Sequence, residues 1–532
     1  MRTPILLLAL LAVLMPTPAR AEDDPTTLTK ALEAFFAEED DAQRAALGLT
    51  LAMEHRDAKV VAAAAAKARR WKLDGAKDKV VTWKRTTADG VSHTIFASIP
   101  PGYDAAKAWP VLIWLHGGVS REEDGGGASG IRTMGELADQ EGFLVLAPST
   151  QTGAEWWTPN GVALVRGALA DLARQWRVDA DRVAVSGFSD GASGCFHLLA
   201  HDPEPYCCFL PLMAHPGVTR LAGGPTFPAN VRSRPVLAYS GGVDSLYPSA
   251  RMRPLMTEVK QAGCDLTWID LPEAGHNVRQ VLPEHWDTLR TFWEAHPRVA
   301  APVEVQWETA VPQREGRLAW VEILRVDPEA PSTEAGRNKP LPDPAGRPKL
   351  GVRLDRSYAG PGLKLDSVEE GSAAADAGFE AGDIITSVDG IELKDARAAM
   401  QVLVRALATM TDRDGVFGVS RGEEAHTLKV RPRATGAGTV ERPKALGYGL
   451  PSGRVAALIG EENTILVTSR HVRRFKLHLA DGRLDLDKPI KVVANGKVVF
   501  EGKVTSDTGY VLQQAARQIG GPAYRGYVII TL

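Results

Sequence analysis

Apolar segments of strand length alternate with longer helical segments between about residues 79 and 297, and this alternation constrains the fold more than any other feature of the chain. The strand candidates are bounded by turn residues and begin at Val80, His93, Val111, Phe143, Arg182, Cys208, Pro235 and Leu266. The helical patterns lie near residues 131–140, 162–176, 191–201, 254–261 and 278–293. Together they predict an α/β domain with a mostly parallel sheet.

The chain has 532 residues, so this region leaves more than half of the sequence for other units. A single hydrophobic core rarely extends beyond about 250–300 residues, so several domains are expected. Residues 22–78 form a prefix whose Ala-rich pattern is helical. We expect this prefix to pack on the α/β domain that follows it, at residues 79–298.

The first 21 residues have the pattern of a secretory signal. Arg2 precedes an apolar stretch over residues 5–15, and a site of small residues ends at Ala21. A membrane span needs about 20 apolar residues, which is more than this stretch provides. We therefore expect cleavage after Ala21, export to the periplasm or the medium, and no membrane span in the mature chain.

The composition argues against several kinds of partner and site. A net charge of −3 without a long basic run argues against nucleic-acid binding. The cysteines and histidines match no metal-ligand spacing, so we expect no metal and no cofactor. The cysteines are too few for a disulfide scaffold, and we expect buried thiols at Cys195, Cys207, Cys208 and Cys264, although export would permit one disulfide that involves Cys264.

The segment Gly187-Phe188-Ser189-Asp190-Gly191 is a G-x-S-x-G motif, the pattern of a nucleophile elbow. An elbow needs a strand that runs into a sharp turn and a helix that leaves it. A strand candidate precedes this motif, and a helical pattern that begins with small residues follows it. The motif therefore predicts that Ser189 is a catalytic nucleophile beside a helix N-terminus.

Two further residues follow Ser189 in the order that a Ser-Asp-His triad takes after such an elbow. Asp244 follows the seventh strand candidate in a Gly-rich loop, and His276 follows the eighth just after a glycine. Because the carboxyl ends of parallel strands meet at one edge of a sheet, we expect Ser189, Asp244 and His276 to form a catalytic triad.

Acyl transfer also needs two preorganised N–H donors for the oxyanion that develops on the substrate. We predict that one donor is the backbone N–H of Asp190, directly after the nucleophile. The other should come from Gly117 and Gly118, in the loop after the third strand candidate. We expect His116 to brace this loop rather than to transfer protons.

Trp156 and Trp157 are the candidates for substrate binding. Their segment, "GAEWWTPNG", follows the fourth strand candidate. Two adjacent aromatic side chains there could form a wall for a sugar or a phenolic group. Packing of one of them in the core is an equal alternative.

The segments "SIPPGYDAAKAWPVLIWLHGG", "EWWTPNG", "VDADRVAVSGFSDGA" and "EAGHN" give residues 79–298 a resemblance to the α/β-hydrolase superfamily. Within it they are similar to secreted serine esterases of the polyhydroxybutyrate-depolymerase and feruloyl-esterase type. The resemblance implies hydrolysis of a small or polymeric carboxylic ester through an acyl-enzyme on Ser189. Two alternatives remain open: a serine peptidase on the same fold, and a non-catalytic binding protein on a hydrolase scaffold.

The segment "GSAAADAGFEAGDIITSVDG" and the earlier loop with Leu350, Gly351 and Val352 resemble a bacterial-type PDZ domain, at residues 341–435. The resemblance implies that the N–H groups of this loop bind the terminal carboxylate of a peptide, which adds as a strand beside the sheet. Docking of the module within its own chain is the alternative.

Strand patterns lie on both sides of the PDZ segment, at residues 299–340 (with a linker) and 436–532. Each set has too few strands for a stable sheet. We therefore expect one β-sandwich-like domain, built from both sets, in which the PDZ domain is inserted. Two small independent domains are the competing arrangement.

Overall fold

The computed structural model describes residues 25–329, 348–434 and 445–532, apart from residues 39, 73–78, 120–121, 123, 223, 283, 356, 394–398, 401, 404–405, 408–409, 411–412 and 448–449. The expected secretory signal lies outside these described residues. Within them, no helix combines the length and the apolar character that crossing a membrane requires.

An eight-stranded sheet organises the α/β domain, and every strand candidate of this region forms one of its strands. The strands are β1 (Val80–Thr86), β2 (Ser92–Ser98), β3 (Trp109–Leu115), β4 (Leu144–Pro148), β5 (Val178–Phe188), β6 (Cys208–Leu212), β7 (Val236–Gly241) and β8 (Leu266–Leu271). Their order is β1-β2-β4-β3-β5-β6-β7-β8; β2 runs antiparallel to both neighbours, and the other pairs are parallel. The predicted α/β class is confirmed.

Helices cover both faces of this sheet. The helices in this part of the chain are α1 (Pro25–Ala37), α2 (Asp41–Glu54), α3 (Ala58–Ala68), α4 (Ala128–Glu141), α5 (Pro159–Gln175), α6 (Asp190–His201), α7 (Val218–Leu221), α8 (Ser249–Gln261) and α9 (Trp286–Ala295). Apolar side chains of α5, α6 and α8 pack on one face, and those of α4 and α9 pack on the other. Burial on both faces explains the nearly continuous apolar runs of the central strands.

The start of the last helix of the α/β domain differs most from the expectation. The pattern predicts a helix from residue 278, whereas a 3₁₀ turn over Val278–Gln280 precedes α9, which begins at Trp286. The side chain of Asn277 accepts a hydrogen bond from the Arg279 N–H in that turn. Such local side-chain bonds compete with a regular helix start.

All four cysteines are buried and carry free thiols. The sulfur atoms of Cys207 and Cys208 lie 3.7 Å apart at the start of β6. Cys264 lies just before β8, where burial raises the pKa of its thiol to about 12. The expectation of buried thiols is confirmed, and Cys264 forms no disulfide.

The rest of the chain contains the elements of the PDZ module and of a second β domain. Before the module come β9 (Glu304–Thr309), α10 (Pro312–Glu315), β10 (Arg317–Leu318) and β11 (Val321–Val326). The module contains β12 (Pro348–Lys349), β13 (Val352–Leu354), β14 (Leu363–Val368), α11 (Ala373–Asp376), β15 (Ile384–Val388), β16 (Ile391–Glu392), β17 (Gly415–Arg421), β18 (Glu424–Val430) and β19 (Arg433–Ala434). After it come β20 (Gly453–Ile459), β21 (Thr464–Arg470), β22 (Val472–Ala480), β23 (Ile490–Ala494), β24 (Lys497–Gly502), α12 (Thr508–Arg517) and β25 (Tyr524–Thr531).

Strands from the two sides of the PDZ module share two sheets. The sheets have the orders β24-β23-β21-β20-β9 and β10-β11-β22-β25, and β9 pairs with β20 while β11 pairs with β22. One apolar core, which includes Trp307, Phe475 and Leu477, joins residues of both sheets. The sandwich-like class with an inserted PDZ domain is thus confirmed, and two independent domains do not fit the shared sheets.

The helices of the prefix pack on the C-terminal helix, and the residues after them contact the α/β domain, where Trp71 Nε1 donates to the Ala173 carbonyl of α5 at 3.2 Å. Leu28, Leu32 and Val61 of α1 and α3 share a core with Val511 and Leu512 of α12. The amphipathic pattern of the prefix indicates an apolar face, but it does not specify which element covers that face. The expected packing on the α/β domain therefore holds for the end of the prefix, at Trp71 and Lys72, whereas α12 supplies the apolar partner of its helices.

A buried asparagine joins the α/β domain to the second β domain. The Asn230 side-chain amide donates to the carbonyl oxygens of Ala200 and Glu308, both at 2.9 Å, and its oxygen accepts from the Glu308 N–H at 3.0 Å. Because each unmade bond of a buried polar group costs about 1–3 kcal/mol, this residue favours one relative placement of the two domains.

The chain ends that flank the PDZ module are adjacent, which makes the insertion testable. A Cβ on Gly453 would lie 3.1 Å from Val326 Cγ2. We expect that replacing residues 340–443 with a short flexible linker preserves cooperative unfolding of the β domain, because both sheets consist of strands outside the replaced segment. Differential scanning calorimetry against the full chain measures this, and loss of the β-domain transition would contradict the inserted arrangement.

Candidate active site

Ser189 lies at a sharp turn between β5 and α6. Its backbone has φ 60° and ψ −119°, a conformation that costs a non-glycine residue about 1–3 kcal/mol and occurs mostly at functional sites. A Cβ on Gly187 would lie 2.6 Å from the Leu115 carbonyl oxygen, and one on Gly191 would overlap the same oxygen. The G-x-S-x-G spacing therefore reflects two points at which the turn touches the end of β3.

A chain of hydrogen bonds connects Ser189 to the loops after β7 and β8. His276 Nε2 lies 2.8 Å from Ser189 Oγ, and His276 Nδ1 lies 2.7 Å from Asp244 Oδ2. Because a carboxylate only accepts hydrogen bonds, Nδ1 carries the imidazole proton, and Nε2 is left to accept from the serine hydroxyl. The structure thus brings together the three residues that the sequence proposes as a triad.

Backbone donors hold the Asp244 carboxylate in place. Its Oδ1 accepts from the N–H groups of Leu246 and Tyr247, both at 2.8 Å, and its side chain is fully buried. These bonds leave Oδ2 directed at His276. Buried carboxylates need such donors, since an unpaired charge in the interior is very costly.

Aromatic rings surround His276, and one of them belongs to a residue that the sequence analysis missed. The Phe188 and Tyr247 rings lie 4.7 and 5.7 Å from the imidazole. Burial, followed by the nearby carboxylates of Asp190 and Asp244, raises the pKa of Tyr247 to about 12, so its hydroxyl stays protonated. Tyr247 belongs to no recognisable motif. The one signal in the sequence that could have indicated it is its place in the loop after Asp244.

Two backbone N–H groups beside Ser189 have no acceptor within the described part of the chain: those of Gly117 and Asp190. A Cβ on Gly117 would lie 2.9 Å from the Ser189 Cβ, so this glycine touches the Ser189 side chain. Asp190 is the first residue of α6, where N–H groups lack partners within the helix. Both groups are free to donate to a negatively charged oxygen bound at Ser189.

Gly118 does not provide a free donor, contrary to the prediction. Its N–H donates to Asp190 Oδ2 at 3.0 Å, and the Val119 N–H donates to the same oxygen at 3.2 Å. A carboxylate accepts such bonds more strongly than a neutral group does. The Asp190 side chain therefore holds the loop after β3, which is a contact that the sequence analysis did not foresee.

Trp156 is part of the core rather than of an open wall. Its side chain has no exposed surface, and its Nε1 donates to the His116 carbonyl at 2.9 Å. A Cβ on Gly194 of α6 would lie 2.6 Å from the Trp156 Cβ, so the indole is closely packed. The predicted substrate-binding role of Trp156 is corrected, because the side chain has no surface to offer a substrate.

Trp157 lies at a different place from the triad. It lines a cavity of about 950 Å³ between the α/β domain and the second β domain, together with His197, His201, Arg317 and Tyr524. His197 is eight residues along α6 from Ser189, which corresponds to about 12 Å at 1.5 Å per residue. Ser189, Asp244 and His276 do not line this cavity, so Trp157 does not form the predicted aromatic wall beside them.

The loop of the PDZ module is held tightly at Gly351. This residue has φ +80°, and a Cβ on it would overlap the Ser372 side chain. Its carbonyl accepts from the Glu369 N–H at 2.8 Å, while Leu350 is buried in the core of the module. Val352 begins β13, which lies at the end of the sheet order β13-β14-β15-β17-β18.

No cluster of histidine, cysteine or carboxylate side chains within the described residues is arranged to hold a metal ion.

Comparison with known proteins identifies one module and finds distant relatives. Residues 365–413 match the family model described as "PDZ domain", so the chain carries a PDZ domain. The chain is 28% identical over 139 residues to a probable chloroplastic glutamyl endopeptidase of Oryza sativa subsp. japonica, which covers 23% of this chain and 15% of the relative. It is also 28% identical over 130 residues to a bifunctional acetylxylan esterase/xylanase of Neocallimastix patriciarum. This match covers 24% of this chain and 18% of that protein.

These curated relatives are matched over less than a fifth of their own length. Among solved structures, a thermophilic esterase of Thermogutta terrifontis is similar over 42% of this chain and 94% of its own, with 15% identity and a TM-score of 0.34. Esterases and peptidases thus both occur among the relatives.

The contact of Gly191 with β3 gives the first prediction for the site. Gly191→Ala should lower the midpoint of thermal unfolding of the α/β domain, because overlap with a backbone carbonyl is not relieved by side-chain rotation and overpacking costs about 1–3 kcal/mol or more. Gly135→Ala on α4 is the control: a Cβ there would lie 3.7 Å from Ile131 Cγ2, an ordinary contact. Differential scanning calorimetry compares the two variants, and equal midpoints would contradict the close approach.

Proposed function

We propose that the protein is a serine hydrolase that cleaves carboxylic esters through an acyl-enzyme on Ser189. The observation that carries this proposal is the continuous chain from Asp244 through His276 to the Ser189 hydroxyl. The two N–H groups without acceptors, on Gly117 and Asp190, support it further, since acyl transfer needs donors at that point.

In the proposed first half-reaction, Ser189 Oγ attacks the ester carbonyl carbon while His276 Nε2 takes the hydroxyl proton. Asp244 stabilises the imidazolium that forms and keeps the ring in its orientation. The carbonyl oxygen becomes an oxyanion and accepts from the Gly117 and Asp190 N–H groups. Collapse of the tetrahedral intermediate breaks the bond to the alcohol, which leaves with the proton from His276.

In the second half-reaction a water molecule replaces the alcohol. His276 takes a proton from this water, whose oxygen attacks the acyl carbon of the enzyme ester. The same two N–H groups stabilise the second tetrahedral intermediate. Its collapse releases the carboxylic acid and returns the proton to Ser189.

A serine peptidase is the second candidate, because one of the relatives is named as an endopeptidase and amides react by the same steps. The resemblance of the motif segments to secreted esterases favours esters. A non-catalytic binding protein is disfavoured, because Ser189, Asp244 and His276 are all present and in hydrogen-bond contact.

We also propose that the enzyme acts in the periplasm or the medium. The support is the pattern of residues 1–21, with Arg2 before an apolar stretch and small residues up to Ala21. Sequencing the N-terminus of the protein expressed in a bacterial host tests this, and a mature chain that still begins at Met1 would contradict it.

Substitution of the triad provides the main test. Ser189→Ala should lower kcat on a short-chain nitrophenyl ester by about 10⁶-fold, and Asp244→Asn by about 10⁴-fold through the wrong imidazole tautomer. Ser92→Ala, at an exposed serine on β2, is the control and should leave kcat unchanged. A serine-reactive phosphonate should label the unmodified chain and Ser92→Ala but not Ser189→Ala.

The outcomes separate the candidates. Equal labelling of Ser189→Ala would reject Ser189 as the nucleophile. Faster turnover of a peptide panel than of an ester panel, at matched acyl groups, would replace the esterase by the peptidase. Absence of both labelling and turnover in the unmodified chain would favour the binding protein.

We propose further that the PDZ domain binds peptides by their C-terminal carboxylate. The tight loop at Gly351 and the edge position of β13 support this. Fluorescence polarisation with the full chain compares a random heptapeptide library with its C-terminally amidated form. Amidation should weaken binding at least about tenfold, because charge-assisted hydrogen bonds contribute about 1.5–3 kcal/mol. Equal binding of the two libraries would contradict carboxylate capture and favour docking within the chain.

A further inference from the structure

The peptide group between His116 and Gly117 carries one of the two free N–H donors. Its carbonyl accepts from Trp156 Nε1 at 2.9 Å. A trans peptide is planar, so its carbonyl and its N–H point in opposite directions. By holding the carbonyl, the indole therefore determines the direction of the Gly117 N–H. Trp156 is fully buried against Gly194, which leaves the indole no room to rotate away.

The next peptide groups of this loop are held as well. His116 Nε2 accepts from the Thr150 N–H, so the ring proton is on Nδ1. Nδ1 donates this proton to the Gly117 carbonyl at 3.0 Å. The N–H groups of Gly118 and Val119 both donate to Asp190 Oδ2. The loop turns at Gly118, which has φ 70°, and these two N–H groups share an acceptor that the Gly117 N–H does not use.

Asp190 connects the two halves of the donor pair. Its own backbone N–H is one donor, and its carboxylate holds the loop that carries the other. The two donors lie on segments that leave different strands, β3 and β5. One residue thus sets their separation, which must match the position of a single oxyanion.

We infer that the Asp190 carboxylate and the Trp156 indole N–H are positioning residues of the oxyanion hole. Their described hydrogen bonds go to the loop after β3 rather than to the Ser189, Asp244 or His276 side chains, and they aim the Gly117 N–H at the oxygen that becomes negative. The inference rests on the proposed function, because only an acyl-transfer reaction generates that oxyanion.

A positioning role for the transition state has a specific kinetic signature. Loss of one oxyanion donor typically lowers kcat by about 10²–10³-fold, because the interaction is made in the transition state rather than with the bound substrate. Misdirecting a donor should cost less, about 10–100-fold in kcat, with little change in KM. A role limited to stability would instead lower the amount of folded enzyme and leave the kcat of that fraction unchanged.

The experiment uses three variants of the full chain, two at Asp190 and one at Trp156. Asp190→Ala removes the carboxylate but keeps the backbone donor, and Asp190→Asn keeps an oxygen that accepts from the loop. Trp156→Phe removes the indole N–H and keeps a ring in the core. Active-site titration with the phosphonate gives the folded, reactive fraction, so that kcat is expressed per active site.

Matched controls make the same chemical changes elsewhere. The Asp57 carboxylate also accepts two backbone N–H groups, at the start of α3, and Asp57→Ala removes it. The Trp109 indole also donates to a backbone carbonyl, that of Asp104, at 2.8 Å, and Trp109→Phe removes that bond. Both controls should keep kcat per active site within about twofold, since neither residue contacts the loop after β3.

We expect Asp190→Ala and Trp156→Phe each to lower kcat about 10–100-fold at nearly constant KM, and Asp190→Asn to recover most of the loss. Asp190→Ala and Trp156→Phe should also weaken the binding of an alkyl boronic acid inhibitor by a similar factor, because its tetrahedral adduct carries a negative oxygen. If Asp190→Ala does not fold, Asp190→Asn and Trp156→Phe test the proposal alone. Unchanged kcat per active site in Trp156→Phe, or equal losses in the matched controls, would overturn it.

This failure is distinct from failure of the proposed function. If the unmodified chain neither reacts with the phosphonate nor turns over esters or peptides, the proposed function is rejected and the inference falls with it. If the unmodified chain is active and titrates normally while the variants match it, only the positioning role is rejected.

Discussion

The close approach between the ends of β3 and β5 is the contact on which the site depends. Gly191 lies so near the Leu115 carbonyl that a Cβ would overlap it, and Gly117 touches Ser189 in the same way from the other loop. Because these contacts leave no room for side chains, two loops that leave different strands form one surface. The positive φ of Ser189 persists since contacts on both sides determine it. Asp244 and His276 are arranged around a serine whose position these glycines fix.

The sequence predicts those parts of the structure that local physics determines. Every strand candidate of the α/β domain forms, because runs of apolar residues between turn residues have few alternatives. The order of Asp244 and His276 is informative because parallel strands end at one edge. The sequence left open whether Trp156 lines a wall or packs in the core, and the structure shows core packing; a buried and an exposed tryptophan look alike in sequence, and the acceptor of this one, on His116, is 40 residues away. The bond from Gly118 to Asp190 spans 72 residues and was missed for the same reason.

Long-range contacts also explain why the domain organisation was only partly predictable. The amphipathic pattern of α1–α3 indicates an apolar face, yet the helix that covers it, α12, lies at the other end of the sequence; Arg69 bonds the Ala515 carbonyl across 446 residues. The two sheets of the β domain could be expected, because each set of strands alone is too small. Val326 and Gly453, on the two sides of the inserted module in the sequence, are adjacent in the β domain, whereas Gly447 pairs with Thr226 of the α/β domain.

A carboxylate beside the oxyanion of the proposed reaction would by itself destabilise that oxyanion, because like charges repel. The structure resolves this through the direction of each group on Asp190. The carboxylate faces the N–H groups of Gly118 and Val119, and it lies at the first turn of α6, where the helix dipole favours negative charge. Its charge is therefore compensated in the folded protein before a substrate binds. The backbone N–H of the same residue has no acceptor among the described residues, so in the proposed reaction Asp190 orders the loop with one group and donates to the oxyanion with another.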